Sequence, residues 1–161
     1  METNDTIRAL TIALAFAALL AAHYFGDHWL QTGGQALKKA LGQPNGRTAD
    51  AVWHCAKHVA TYCALGLSLF LLVAAQVNLP LRPGWIAAGM VLHAGTHFLA
   101  DLRTPLRWAA GKVGLTEYIE HCNVARGAGV HEVGPGTALF HLDQSWHILC
   151  IFFVSCLFAG F

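Results

Sequence analysis

The chain has 161 residues, of which 55% are hydrophobic and only 12% charged, where a water-soluble domain carries about a quarter charged residues. Its formal net charge is +1, too little for a basic surface that binds nucleic acid, and its scattered glycines form no nucleotide-binding loop. The charge that is present falls almost wholly between apolar runs, the pattern of a multi-pass membrane protein.

The first apolar segment runs from about Ile7 to Leu30, uninterrupted from Ala9 to Ala22, and ends on His23 and Asp27. Residues Met1 to Thr6 hold two acids and no base, so no cleavable signal is expected and the run should remain as a span. Thr32 to Asp50, with Gly33-Gly34, Lys38-Lys39 and Pro44-Asn45-Gly46, reads as a loop with a short helix. The second segment covers about Ala51 to Val77 and carries His54 and His58 at its start; Asn78, Pro80 and Pro83 then predict a tight turn. The third, Trp85 to Leu102, bears the stripe His93, His97, Asp101. In the connection that follows, Leu106 to Cys122 predicts an amphipathic helix on the membrane surface, and Arg126 to Thr137 is glycine-rich with little regular structure. The fourth segment, Phe140 to Phe161, opens with Asp143, Gln144 and His147. Each segment is near the roughly 20 residues that cross a bilayer. The expectation is a single all-α domain, an integral-membrane four-helix bundle with a short interfacial helix in the third connection. The five cysteines form no CxxC pair and read as small apolar packing residues.

The pairs His23/Asp27, His54/His58, His93/His97, His97/Asp101 and Asp143/His147 all have i, i+4 spacing, so both members share one helix face. Alternating spans bring the C-terminal ends of the first and third, and the N-terminal ends of the second and fourth, to one side. At about 1.5 Å per residue, His23, His97 and His147 fall in the same third of a core about 30 Å thick. Ionisable groups inside spans are costly, so their convergence needs a purpose.

Imidazole with carboxylate suits a divalent metal, zinc first, with iron(II), manganese or nickel as alternatives. The expected ligands are His23, Asp27, His54, His58, His93, His97, Asp101, Asp143 and His147. Asp27, Asp101 and Asp143 are the candidate bases, with Gln144 (and Gln31) orienting substrate or ligands. Blander roles exist for each: an interfacial belt around His23 to Gln31, a wet helix border at His54 and His58, an interhelical hydrogen bond at His93, an N-cap at Asp143. His28, His121, His131 and His141, with Glu117, Glu120 and Glu132, are expected to be solvated or to face away.

Lys38, Lys39, Arg47, Arg103, Arg107, Lys112 and Arg126 flank the polar side, with Lys57 at its border, against Arg8 and Arg82 opposite. Positive charge faces the cytoplasm, which predicts a cytoplasmic (inner) membrane protein with both termini outside and the cluster toward the cytoplasm.

Gly26-Asp27-x-x-x-Gln31, His54/His58, His97-x-x-x-Asp101 and Asp143-Gln144-x-x-His147 together resemble the DUF3307 family of small bacterial and phage membrane proteins, over all four segments. The chain departs from that pattern at His28, where an aromatic is expected, and in its longer glycine-rich connection. The resemblance brings no established activity. A looser similarity to YdjM-type membrane-bound metal-dependent hydrolases offers an analogy. The functional expectation is a metal-dependent hydrolase acting, within membrane lipid, on a lipid-linked or headgroup ester or phosphoester. A metal-ion or proton transporter using a His/Asp relay, a haem-binding bundle and a non-catalytic partner-binding protein are the alternatives.

Overall fold

The computed structural model describes residues 2–41, 47–122 and 137–160. All regular structure among them is helical: α1 (Glu2–Phe25), a π-helical turn (Gly26–Leu30), α2 (Gly33–Lys38), α3 (Thr48–Gln76), α4 (Pro83–Asp101), α5 (Thr104–Lys112), α6 (Thr116–His121) and α7 (Ala138–Ala159). The alanine- and leucine-rich run of α1 is made of the strongest helix formers. Its last turn widens at Gly26, whose carbonyl accepts from Gln31 N at 3.0 Å, five residues on. Gly26 lies against Tyr62 of α3, where a Cβ would come within 3.1 Å of the ring.

Local signals set the other boundaries. α2 starts in a capping box: Thr32 Oγ1 accepts from Gln35 N at 3.2 Å, and Thr32 N donates to Gln35 Oε1 at 2.8 Å. Between α3 and α4, Asn78 turns the chain at φ 51, a conformation its short polar side chain tolerates. Pro83 then occupies the first turn of α4, where no N–H is missed. The single surface helix expected over Leu106 to Cys122 is two helices, because Gly114 adopts φ 80 and ends α5 before α6 begins. Most of the expected irregular stretch from Arg126 lies outside the described residues; its last residue, Thr137, caps α7 by accepting from Phe140 N at 3.3 Å.

Three helical stretches are long and apolar enough to cross a membrane: Asn4–Leu30, Thr48–Gln76 and Ala138–Ala159. The expected fourth, α4, has 19 residues and is not among the three; His93, His97 and Asp101 lie along it. Even so, α4 packs with the other three in a closed ring, α1 against α3, α3 against α4, α4 against α7 and α7 against α1. Neighbours run antiparallel, since the N-terminal part of α4 meets the C-terminal part of α7 and their opposite ends meet at His97 and His147.

Small residues let these helices approach closely. Gly66 of α3 faces Leu19 and Ala22 of α1, and Gly89 of α4 faces the Phe158 ring of α7. The half of the bundle away from the polar ends is filled by Ala15, Leu19, Phe70, Ala74, Ile151, Val154 and Phe158, with Phe70 and Phe158 edge-to-face at 4.9 Å. The buried hydroxyls there are satisfied within their own helices, Thr11 donating to Ile7 O and Ser155 to Ile151 O, both at 2.8 Å. The outer surface is apolar instead: Leu72, Val91 and Phe153 are more than half exposed. Around the polar end stand Tyr24, Trp29, Trp53, Trp108, Tyr118 and Trp146, all exposed, the residue types that favour headgroup depth. Lys57 lies over the Trp53 ring at 5.3 Å and Lys112 over Trp108 at 5.6 Å.

Candidate metal centre

The four polar helix ends meet in one cluster. From α3, His58 Nε2 lies 3.1 Å from Asp27 Oδ1 of the π turn, 3.4 Å from Asp101 Oδ2 of α4 and 3.2 Å from His97 Nε2. His97 Nε2 is in turn 3.2 Å from Asp101 Oδ2. On the far side of His97 stands the His147 ring of α7, 4.2 Å between centroids, and His147 stacks on His23 of α1 at 5.0 Å. All four imidazoles and Asp101 are buried.

Two groups of three donors have ligand atoms close enough to share an ion: Asp27, His58 and His97, and His97, Asp101 and His147. His97 belongs to both. An ion held at about 2.0–2.1 Å spaces neighbouring donors about 3.0 Å apart in octahedral and about 3.4 Å apart in tetrahedral coordination. The observed 3.1–3.4 Å separations fall in that interval. Asp27 Oδ1 and Asp101 Oδ2 have no hydrogen-bond partner despite their close imidazole neighbours. Buried polar atoms normally find partners, and these two oxygens have only the imidazole nitrogens at 3.1–3.4 Å, the spacing of donors around a shared ion.

Neighbouring groups fix which nitrogens carry those lone pairs. His147 Nδ1 lies 2.8 Å from the Asp143 carbonyl; a carbonyl only accepts, so Nδ1 donates and Nε2, which has no partner, is left as a ligand atom. His23 Nε2 is 3.0 Å from Gln144 Oε1. The Gln144 amide nitrogen donates to Asp27 Oδ2 and Asp143 Oδ2, both at 3.4 Å. That fixes its orientation, so His23 Nε2 donates and His23 Nδ1, 3.8 Å from Asp27 Oδ2, is the unprotonated nitrogen. Gln144 thus ties His23 to Asp27 and Asp143 rather than standing free to meet a substrate.

The expected residues separate into ligand groups and supports. His58, His97, His147, Asp27 and Asp101 supply the two triads. His23 and Asp143 adjoin them through Gln144. His54 does not enter either triad, because it sits one turn before His58 and faces α2 beside Gly34. Nor does His93, one turn deeper than His97 and 4.8 Å from the Tyr62 ring. His28 and His121 bond to their own helices, at Tyr24 O and Glu117 O, and lie at exposed positions. His141 is exposed as well, whereas His131 and Glu132 lie outside the described residues.

Two residues in the cluster carried no signal toward it in the sequence. Tyr62 packs over His97 at 4.0 Å, with a buried hydroxyl that has no partner. Lys39 reaches back from the end of α2 and places Nζ 2.7 Å from Asp101 Oδ1, with the pair almost wholly buried. The segment carrying it is tied down by Leu41 N donating to Leu102 O at 3.1 Å. Burial opposes the charge on Lys39, but Asp101 and then Asp27 more than offset it and hold the ammonium above the usual lysine range.

No family model, curated protein or solved structure matches the chain.

Proposed function

We propose that this protein is an integral-membrane, metal-dependent hydrolase whose His/Asp centre opens at the cytoplasmic headgroup level of the inner membrane and takes a lipid-linked or headgroup ester or phosphoester. The observation that carries the reading is the buried convergence of His58, His97, Asp27 and Asp101 with donor atoms 3.1–3.4 Å apart. His58, His97, His147, Asp27 and Asp101 would hold the ion, with zinc the first choice for this ligand set and iron(II) or manganese next. A divalent ion there supplies Lewis acidity toward an ester or phosphoryl oxygen and makes a water molecule acidic enough to react near neutral pH.

The chain's own groups do the rest. Asp143 lies at the edge of the cluster, less buried than Asp101 and outside both triads, and is the carboxylate that would serve as general base. Gln144 keeps His23, Asp27 and Asp143 in register. The aromatic girdle of Trp29, Trp53, Trp108 and Trp146 supports placement of this end at the interface, where α4 completes the bundle as a fourth span shortened by its polar stripe. The motif resemblance to the DUF3307 family is part of the same proposal.

Detergent-purified protein should retain a stoichiometric divalent metal, and H97A should lose it together with chelator-sensitive hydrolysis of a lipid phosphoester in mixed micelles. Purified protein that takes up no divalent ion, or an H97A variant that holds the ion as tightly as the native chain, overturns the proposal.

A further inference from the structure

Charge balance in the cluster points to how many ions it takes. Three carboxylates, Asp27, Asp101 and Asp143, converge there, each at least four-fifths buried at its side chain. Lys39 is the one lysine or arginine buried among the described residues. With imidazoles neutral, as ligation requires, the set carries two net negative charges. Uncompensated charge of that size is costly away from water, and one divalent cation cancels it. Two would leave an equal excess of positive charge.

The carboxylate geometry matches that count. Asp101 Oδ1 is taken by Lys39 Nζ at 2.7 Å, while Oδ2 faces His97 Nε2 at 3.2 Å and His58 Nε2 at 3.4 Å. One carboxylate therefore joins two positions for positive charge, as bridging carboxylates do in two-metal centres. One position is occupied by an ammonium. At the other, the ligand signal is independent of the acids: His147 Nε2 is buried without a partner, on a ring 2% exposed.

We propose that the centre takes a single divalent cation and that the Lys39 ammonium is its second, built-in cation, the two bridged by Asp101. This rests on the metal-site reading above. Lys39 is a positioning residue in this scheme: it fixes Asp101 and sets the ion count without ligating the ion.

The test is saturation binding of manganese and of zinc to detergent-solubilised, chelator-stripped protein, read as bound ions per chain. The native chain should bind one. K39M, with an apolar side chain of similar length, should gain a second binding event and approach two, whereas K39R, which keeps the charge, should stay at one. A purely structural lysine would not move the count. Two ions bound to the native chain overturn the inference and leave the hydrolase proposal standing; no ion bound removes both. K39M binding one ion with unchanged affinity also overturns it. Should K39M fail to fold, the native stoichiometry and K39R decide: one and one uphold the inference, any second ion in either sinks it.

Discussion

Substituting Gln144 by leucine separates a support from a ligand. Leucine keeps nearly the same bulk but removes an amide that touches three groups at once: His23 Nε2 at 3.0 Å, and Asp27 Oδ2 and Asp143 Oδ2 each at 3.4 Å. Loss of a group that orients metal ligands typically costs about 10–100-fold in affinity, equivalent to about 1.4–2.8 kcal/mol. The two 3.4 Å contacts are long for hydrogen bonds, so the His23 bond carries most of the effect. The expected loss for Q144L is therefore near the lower bound, about tenfold. The His23 N–H left buried without an acceptor should lower stability by about 1–3 kcal/mol. Competition against a chromophoric chelator in detergent micelles reads the affinity, and thermal unfolding of the metal-free protein reads the stability. Affinity unchanged within about twofold, or an ion lost as completely as in H97A, would refute the assignment of Gln144 as an orienting residue.

H54A should leave metal affinity close to native, because His54 faces α2, while H97A should abolish binding by disabling both triads; equal losses in the two variants would contradict the ligand set. G89A should destabilise the bundle by about 1–3 kcal/mol, since the added methyl would stand 2.7 Å from two Phe158 ring carbons and that ring is wedged against Phe70; denaturant or SDS unfolding in micelles checks it. Lys39 is held above the ordinary lysine range, chiefly by Asp101 acting against burial. Its stabilising contribution is then fully present below the unfolded pKa of about 10.4 and is lost as pH rises through the higher folded value. The melting-temperature gap between the native chain and K39R or K39M should stay constant up to about pH 10 and change only above it; a gap that vanishes by about pH 9 contradicts the pairing.

The polar pairs were legible because helical periodicity turns i, i+4 spacing into a shared face, and alternation of spans turns four separate ends into one level. His58, His97, Asp101 and His147 follow from those two rules alone. The same rules could not divide nine candidates into ligands and neighbours. His54 and His58 share one face of α3, and only the axial level separates them: His54, one turn earlier, meets α2 at Gly34 instead of the cluster. Asp27 reaches the cluster through a widened turn at Gly26 that no hydrophobic pattern announces. Tyr62 looks like any aromatic in an apolar run. Lys39 reads as a loop charge until α2 folds back and Leu41 is tied to Leu102. The polar stripe lowers the hydropathy of α4, and two of its three residues, His97 and Asp101, enter the triads. The split of α5 from α6 turned on one glycine adopting a left-handed backbone.

Phe70, Phe158 and their aliphatic neighbours plug the bundle beyond the His/Asp cluster with packed hydrocarbon, where the buried hydroxyls of Thr11 and Ser155 bond only within their own helices. Under the proposed hydrolase function, substrate would arrive and product depart at the polar end alone.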